Sequence, residues 1–389
     1  MSNNHVAICG VGQTERYKTK LSVSMAGLVR EAALNALADA NCTWDDIDAL
    51  IIGKAPDMFE GVVMPEAYLA EALGGVGKPV IRVHTAGSVG GSTAIVAANH
   101  IKSGLFKRVL TVAYEKQSES NAHWALSPSM PFRPHFNSGA GGMFAPMIRE
   151  YMRRSKAPED VGCRVAVKDR LHAVNNPHAH LHLPDIDLKT VQESPMLWEP
   201  TRFLESCPSS DGACAMVMSC ESLADQDDNK PAWVHGMAMR SEPSFYPWRE
   251  EVFPASSVDC AKDVYAQAGI DNPRKQLDMA EVYVPFSWFE PIWLESLGFA
   301  ERGQGWRLTV EGATNLAENG DIPWNCSGGV LSSNPIGASG MIRFAEAALQ
   351  VRGMADKRQV NGATLAMGHA YGGHSQFHAM WVVGADKPS

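Results

Sequence analysis

The chain of 389 residues has no lysine- or arginine-rich run, and its formal net charge is −9. Without a basic stripe it lacks the electrostatic footprint that a phosphate backbone demands, which excludes nucleic acid as a partner class. It has no apolar run near the ~18 residues of a membrane span. Its start, MSNNHVAICGVGQTE, lacks the basic region, apolar core and small-residue cleavage site of a secretory leader, so a cytoplasmic location is expected. The eight cysteines are scattered, with neither a CxxC pair nor zinc-ligand spacing. Reduced thiols in small apolar roles are the expectation, and no metal.

What is present suffices for a sizeable core: 45% of the residues are hydrophobic and 20% charged. Val6–Gly12, Ile47–Gly53, Pro79–His84 and Arg108–Ala113 read as short apolar strands, suited to a sheet covered on both faces. Ser24 reads as the N-cap of a helix over 24–40, with apolar residues at helical spacing. A glycine- and serine-rich turn within 82–95, RVHTAGSVGGSTAI, opens a helix over 92–103. The C-terminal part repeats the order, with a helix over 259–268, a strand DMAEVYV over 278–284, a turn SSNPIGASG over 332–340, a helix over 341–351 and a strand ATLAMGH over 363–369. Such an internal repeat of about 200 residues predicts an α/β protein of two duplicated βαβ-type halves.

The expected boundaries are an N-terminal half over 1–117, a loop-rich insertion covering the site over 118–248, which includes the end of the first half, and a C-terminal half over 249–389. The insertion holds His123, His135, His178, His180 and His182. The segment H178-A-H-L-H puts alternate rings on one face if extended, but without nearby cysteines or a second cluster it does not read as a metal site. Asp211, before a glycine, reads as a turn-fixing residue.

With the repeat and its turns, several motifs carry a resemblance over nearly the whole chain. They are the N-terminal VAICGVGQTE, the turn beginning at Ser88 (SVGGSTAI), CPSSDGACA from Cys207, AEVYVPFS from Ala280, NCSGGVLSSNPIGASG from Asn325, and HAYGG from His369. Together they resemble the thiolase superfamily, within it the sterol-carrier thiolase-like branch often described as lipid-transfer proteins. The resemblance implies a five-layered αβαβα fold. More narrowly, the WALS, AVKDRL, SPMLW and VPFSWFEP segments are similar to acyl-CoA aldolases of steroid side-chain breakdown.

That resemblance makes one further absence informative. Thiolases carry a nucleophilic cysteine where this chain has Ser88, and their GHP loop reads Ser333-Asn334-Pro335 here, replacing the activating histidine by Asn334. An unactivated hydroxyl is a weak nucleophile, so acyl-enzyme chemistry is not expected. The third position, a histidine in the sterol-carrier branch, matches His369, expected at a loop mouth as an acid/base. Tyr283 falls where the steroid aldolases carry a catalytic tyrosine; their second tyrosine lies where this chain has Pro335, so either Tyr371 or His369 is expected to take its role. As plain residues, Tyr283 and Tyr371 are equally core aromatics, and His84, four residues before Ser88, either faces the same turn or is a core histidine.

The implied reaction is retro-aldol cleavage of a β-hydroxyacyl-CoA, with Tyr283, His369 or Tyr371 as base. The enolate would be held by Asn334 and backbone around Ser88, His84, Gly337 and Gly372. No tightly bound cofactor is implied; CoA enters as part of the substrate. The rivals are a thiolase or acyltransferase using Ser88 or a displaced cysteine such as Cys326, and a non-catalytic lipid-binding subunit. The resemblance also implies a homodimer or related heterodimer, and a partner containing an OB-fold and zinc ribbon on another polypeptide.

Overall fold

A computed structural model describes residues 5–19, 22–56, 58–126, 139–227, 229–243, 249–316 and 320–388, without the side chains at 123 and 124. His135 therefore lies outside the described residues. Among the described residues eleven strands are defined: β1 Val6–Gln13, β2 Ala49–Lys54, β3 Val80–Val83, β4 Arg108–Lys116, β5 Met196–Trp198, β6 Thr201–Arg202, β7 Asp211–Cys220, β8 Ala232–Ser241, β9 Met279–Glu281, β10 Leu365–Gly372 and β11 Phe377–Gly384. The helices that position the site are α1 Met25–Asp39, α2 Val89–Lys102, α3 Gly139–Ser155, α4 Ala255–Ala268 and α5 Ile336–Arg352.

Nine strands run in the order β3-β2-β4-β7-β1-β8-β11-β10-β9, and β5 and β6 form a separate hairpin. The first five positions belong to one half and the last four to the other. Among the described residues their strands join where β1 meets β8, through the pairs Ala7↔Trp233 and Ile8↔Ala232. Both α2 and α5 touch strands of both halves, so the sheet folds around them, while α1 covers one outer face and α4 the other. The result is the expected five layers, helix, sheet, helix, sheet, helix. Both β7 and β8 lie within 118–248, so part of that span is sheet.

Alternation explains the layering. Ile8, Ile51, Val109 and Met216 face the central helices, while Ala7, Leu50, Leu110 and Val217 face Leu28, Val29 and Ala32 of α1. Both sets are buried, as the continuous apolar runs predict, and each such side chain stabilises by roughly 1.5–3 kcal/mol. Ser24 caps α1 as expected, its hydroxyl accepting from Gly27 N–H at 3.1 Å.

The glycine-rich turns have a different use from the one expected. Gly90 and Gly91 lie inside α2, and Gly337 and Gly340 inside α5, because each helix begins several residues early. A Cβ on Gly90 would stand 2.4 Å from Met341 N, and one on Gly340 would stand 2.9 Å from Gly91 N. These glycines let the two central helices cross at backbone contact.

Candidate active site

A cavity of about 380 Å³ opens beside the first residues of α2 and α5, under α3 of the insertion. Leu126, Met143, Phe144, Pro285, Phe286 and Ile336 make its walls apolar. Tyr371 anchors the aromatic packing behind them, its ring 6.1 Å from Phe144, 5.3 Å from Phe289 and 5.4 Å from Trp293.

The polar groups on the wall are few. β9 ends at Glu281, two residues before Tyr283, rather than at 284 as the apolar run predicts. The end is held by other partners: Glu281 is ion-paired to Arg343 of α5, and Val282 N–H donates to Asn325 Oδ1 at 2.8 Å. Tyr283 thus stands past the sheet, at the cavity, with its ring edge-to-face against Tyr371 at 5.2 Å. Its hydroxyl donates to Asn334 Oδ1 at 3.3 Å, and Ser339 Oγ donates to the same oxygen at 2.8 Å. Asn334 Nδ2 donates to Cys207 Sγ at 3.1 Å. The backbone of Asn334 is fixed as well, its N–H donating to Ser210 Oγ at 3.1 Å and its carbonyl accepting from Gln117.

Tyr371 is only 4% exposed and lines the cavity, yet its hydroxyl has no hydrogen-bond partner among the described residues. Burial raises both phenols well above the usual tyrosine range; the neighbouring Cys207 adds to this in each, and Tyr283 adds to it in Tyr371. Both are therefore neutral O–H groups at neutral pH. Burial likewise pushes the Cys207 thiol up to about 11.

Other expected residues stand elsewhere. Ser88 is buried, but its hydroxyl donates to Thr85 O at 2.7 Å, and it does not line the cavity, whereas Ala86 and Gly87 do. Gly372 lies on the wall because β10 packs against that turn: a Cβ there would be 2.4 Å from Ser88 N. Gly337 packs instead against β4, where a Cβ would lie 2.2 Å from Tyr114 O. His84 is exposed and lines no part of the cavity.

His369 departs most from expectation. It sits within β10 rather than at a loop mouth, fully buried, with Nδ1 accepting from Tyr283 N–H at 3.4 Å and Nε2 3.1 Å from His378 Nδ1. Burial and His378 hold it well below the ordinary histidine range, so it is a neutral strut rather than a group titrating near pH 7. Its Nδ1 accepts from the backbone of Tyr283, so it helps to place that residue. Cys326 is fully buried behind the site and is not a cavity thiol.

The histidine-rich segment buttresses the Asn334 loop. His180 Nδ1 lies 2.8 Å from Ser210 Oγ, and His180 N–H donates to Ser333 Oγ at 2.9 Å. His178 and His182 contact other backbone carbonyls, Thr14 O and Asn176 O. Asp211 accepts from Ser118 N–H at 2.9 Å, tying β7 to the end of β4.

Two cavity residues escaped sequence reasoning. Cys207 sits in the CPSSDGACA motif, where local sequence predicts no more than a small buried thiol, yet it lines the cavity. His374 follows HAYGG directly; burial and Arg249 lower it to about 4, so it is neutral. The run of polar residues after a strand-ending glycine pair was the only signal for it.

The Thiolase C-terminal domain-like family matches residues 247–385. The chain is 29% identical to an acetyl-CoA acetyltransferase of Methanothermobacter thermautotrophicus, over 95% of this chain and 96% of that protein. It is also 29% identical to the 17-hydroxy-3-oxo-4-pregnene-20-carboxyl-CoA lyase of Mycobacterium tuberculosis, over 91% and 93% of the two chains. The solved Ltp2-ChsH2(DUF35) aldolase superposes with a TM-score of 0.85 at 28% identity, covering 98% of each chain. The layers, the duplicated halves and these likenesses agree: over nearly its whole length the chain is similar to proteins of the thiolase superfamily, among them sterol carrier protein 2 of Bos taurus, 28% identical over 95% of this chain and 70% of that protein.

Proposed function

We propose that this protein is a carbon–carbon lyase that cleaves a β-hydroxyacyl-CoA by a retro-aldol reaction, yielding a ketone and a shorter acyl-CoA. The observation that carries the reading is the pair of phenols, Tyr283 and Tyr371, with Asn334 on one cavity wall, while the Ser88 hydroxyl is turned to Thr85. The likeness to a lyase and to an aldolase supports it. The apolar walls suit a hydrophobic acyl group, and the lyase's steroid substrate makes a steroid side chain with a tertiary β-hydroxyl the substrate proposed here. Such a hydroxyl cannot be oxidised to the β-keto form that thiolysis consumes.

In this reading Tyr371, whose oxygen has no partner among the described residues, takes the β-hydroxyl proton as phenolate. The O–H electron pair becomes the ketone C=O, the Cα–Cβ bond breaks, and its electrons enter the thioester enolate. Returning the proton to Cα completes the shorter acyl-CoA. Tyr283 stays neutral and polarises the Asn334 amide, whose N–H side faces the developing enolate oxygen. His369 places Tyr283 and does not exchange the proton.

The protein is proposed to work in the cytoplasm, where its eight free thiols remain reduced, as a homodimer or related heterodimer with a separate OB-fold and zinc-ribbon partner. The aldolase solved as a complex with ChsH2 supports a heteromeric assembly. The test is turnover of a β-hydroxyacyl-CoA with a tertiary hydroxyl, with and without that partner, in the absence of free CoA. Equal release of ketone and shorter acyl-CoA is expected. Cys207 on the cavity wall and the likeness to an acetyltransferase favour one rival, acyl transfer through a displaced thiol. Turnover of a β-ketoacyl-CoA only once free CoA is added would replace the lyase reading with that one, and tight ligand binding without turnover would point to a lipid-binding subunit.

A further inference from the structure

The amide of Asn334 is surrounded by three side chains that can each donate or accept: Tyr283 and Ser339 hydroxyls on one side and the Cys207 thiol on the other. Which end of the amide faces which neighbour decides what the site can do. With Oδ1 toward the hydroxyls, Nδ2 gives one N–H to sulfur and keeps its second for a ligand oxygen. Reversed, the amide would turn its oxygen toward the sulfur side of the cavity, where it would repel an enolate. A phenol donates better than it accepts, and so favours the oxygen; sulfur donates weakly, and so favours the nitrogen.

We propose that Cys207 is a positioning residue, whose sulfur holds the Asn334 side chain so that an N–H, rather than the carbonyl oxygen, meets the thioester oxygen of the substrate. Three structural features agree. Asn334's backbone is pinned by Ser210 and Gln117, so only its side chain is free to turn. Cys207 is itself pinned, its N–H donating to Pro285 O at 2.9 Å. Both residues line the cavity together with Tyr371. The role rests on the lyase reading of the cavity; the sulfur–amide pairing does not.

Two measurements separate these. In the first, Cys207→Ala and Cys207→Ser are assayed for β-hydroxyacyl-CoA cleavage. Alanine leaves the nitrogen unanchored, and a kcat loss of about tenfold with KM within about threefold is expected, since only transition-state contacts weaken. Serine restores an acceptor of similar size, and kcat within about threefold of wild type is expected. Serine no better than alanine, or a loss confined to KM, overturns the proposal. In the second, which needs no turnover, alkylation of Cys207 by iodoacetamide is followed by peptide mass spectrometry in wild type and Asn334→Leu. An N–H donated to sulfur stabilises the thiolate, so the leucine variant should react about threefold or more slowly. Equal rates show that no such pairing exists and sink the proposal even if wild type cleaves no substrate. Slower alkylation alongside an inactive wild type retires the lyase reading and with it the catalytic part of the role.

Discussion

The Tyr371 phenol lines the cavity and its hydroxyl makes no hydrogen bond among the described residues, so it adds none to the stability of the fold. Tyr371→Phe should therefore abolish function without harming the fold: kcat is expected to fall by about a hundredfold or more, while the melting temperature holds or rises. A parallel fall in stability and rate would mean that the phenol is structural. Tyr283→Phe is expected to act in the opposite way, losing the bond to Asn334 and about 1 kcal/mol of stability, measured by denaturant unfolding, along with a milder loss of rate. The pH dependence follows from the raised phenol. If Tyr371 must be ionised to act, and burial keeps it protonated, then kcat/KM should climb with pH from 6 to 9 without a plateau, close to tenfold per unit. A bell centred near neutral pH would instead return the role to a histidine. At this scale motif spacing singles out Tyr283, Asn334 and Tyr371, and all three line the cavity. The sequence misjudged the setting of His369, because burial by residues far along the chain is invisible in a local motif.

Among the elements, β9 ends earlier and α2 and α5 begin earlier than periodicity predicts, in each case for a contact reason. β9 stops at Glu281 because Asn325 and His369 take over the hydrogen bonds that a longer strand would make. α2 and α5 extend back through their glycines because those residues meet across the helix crossing. Gly340→Val should force the two helices apart, costing about 1–3 kcal/mol or more as a lowered melting temperature, and should also displace Asn334. An unchanged melting temperature would show that the crossing tolerates side chains. Ser24→Ala, far from the cavity, should cost about 1 kcal/mol through its lost cap and leave the rate unaltered.

The whole molecule presents an edge. β3 ends the sheet, its residues only partly buried, and the short helix Pro65–Ala72 beside it leaves Tyr68 67% exposed. An open strand edge next to apolar surface favours pairing with another chain. The proposed dimer should therefore elute above monomer mass in size-exclusion chromatography, and Tyr68→Glu should shift it toward monomer; monomeric wild type would count against the assembly.

By itself the sequence determined the local and repeating features: the apolar strands, the capped helix, the duplicated order, and the absence of a cysteine at Ser88. Each of these follows from residue spacing along one stretch of chain. Only the tertiary structure decided that the Ser88 hydroxyl turns to Thr85, that His369 is a buried strut, and that Cys207 reaches Asn334 across 127 positions. Those outcomes depend on which surfaces the folded halves bring together, and burial and hydrogen-bond partners are set there rather than in the motif.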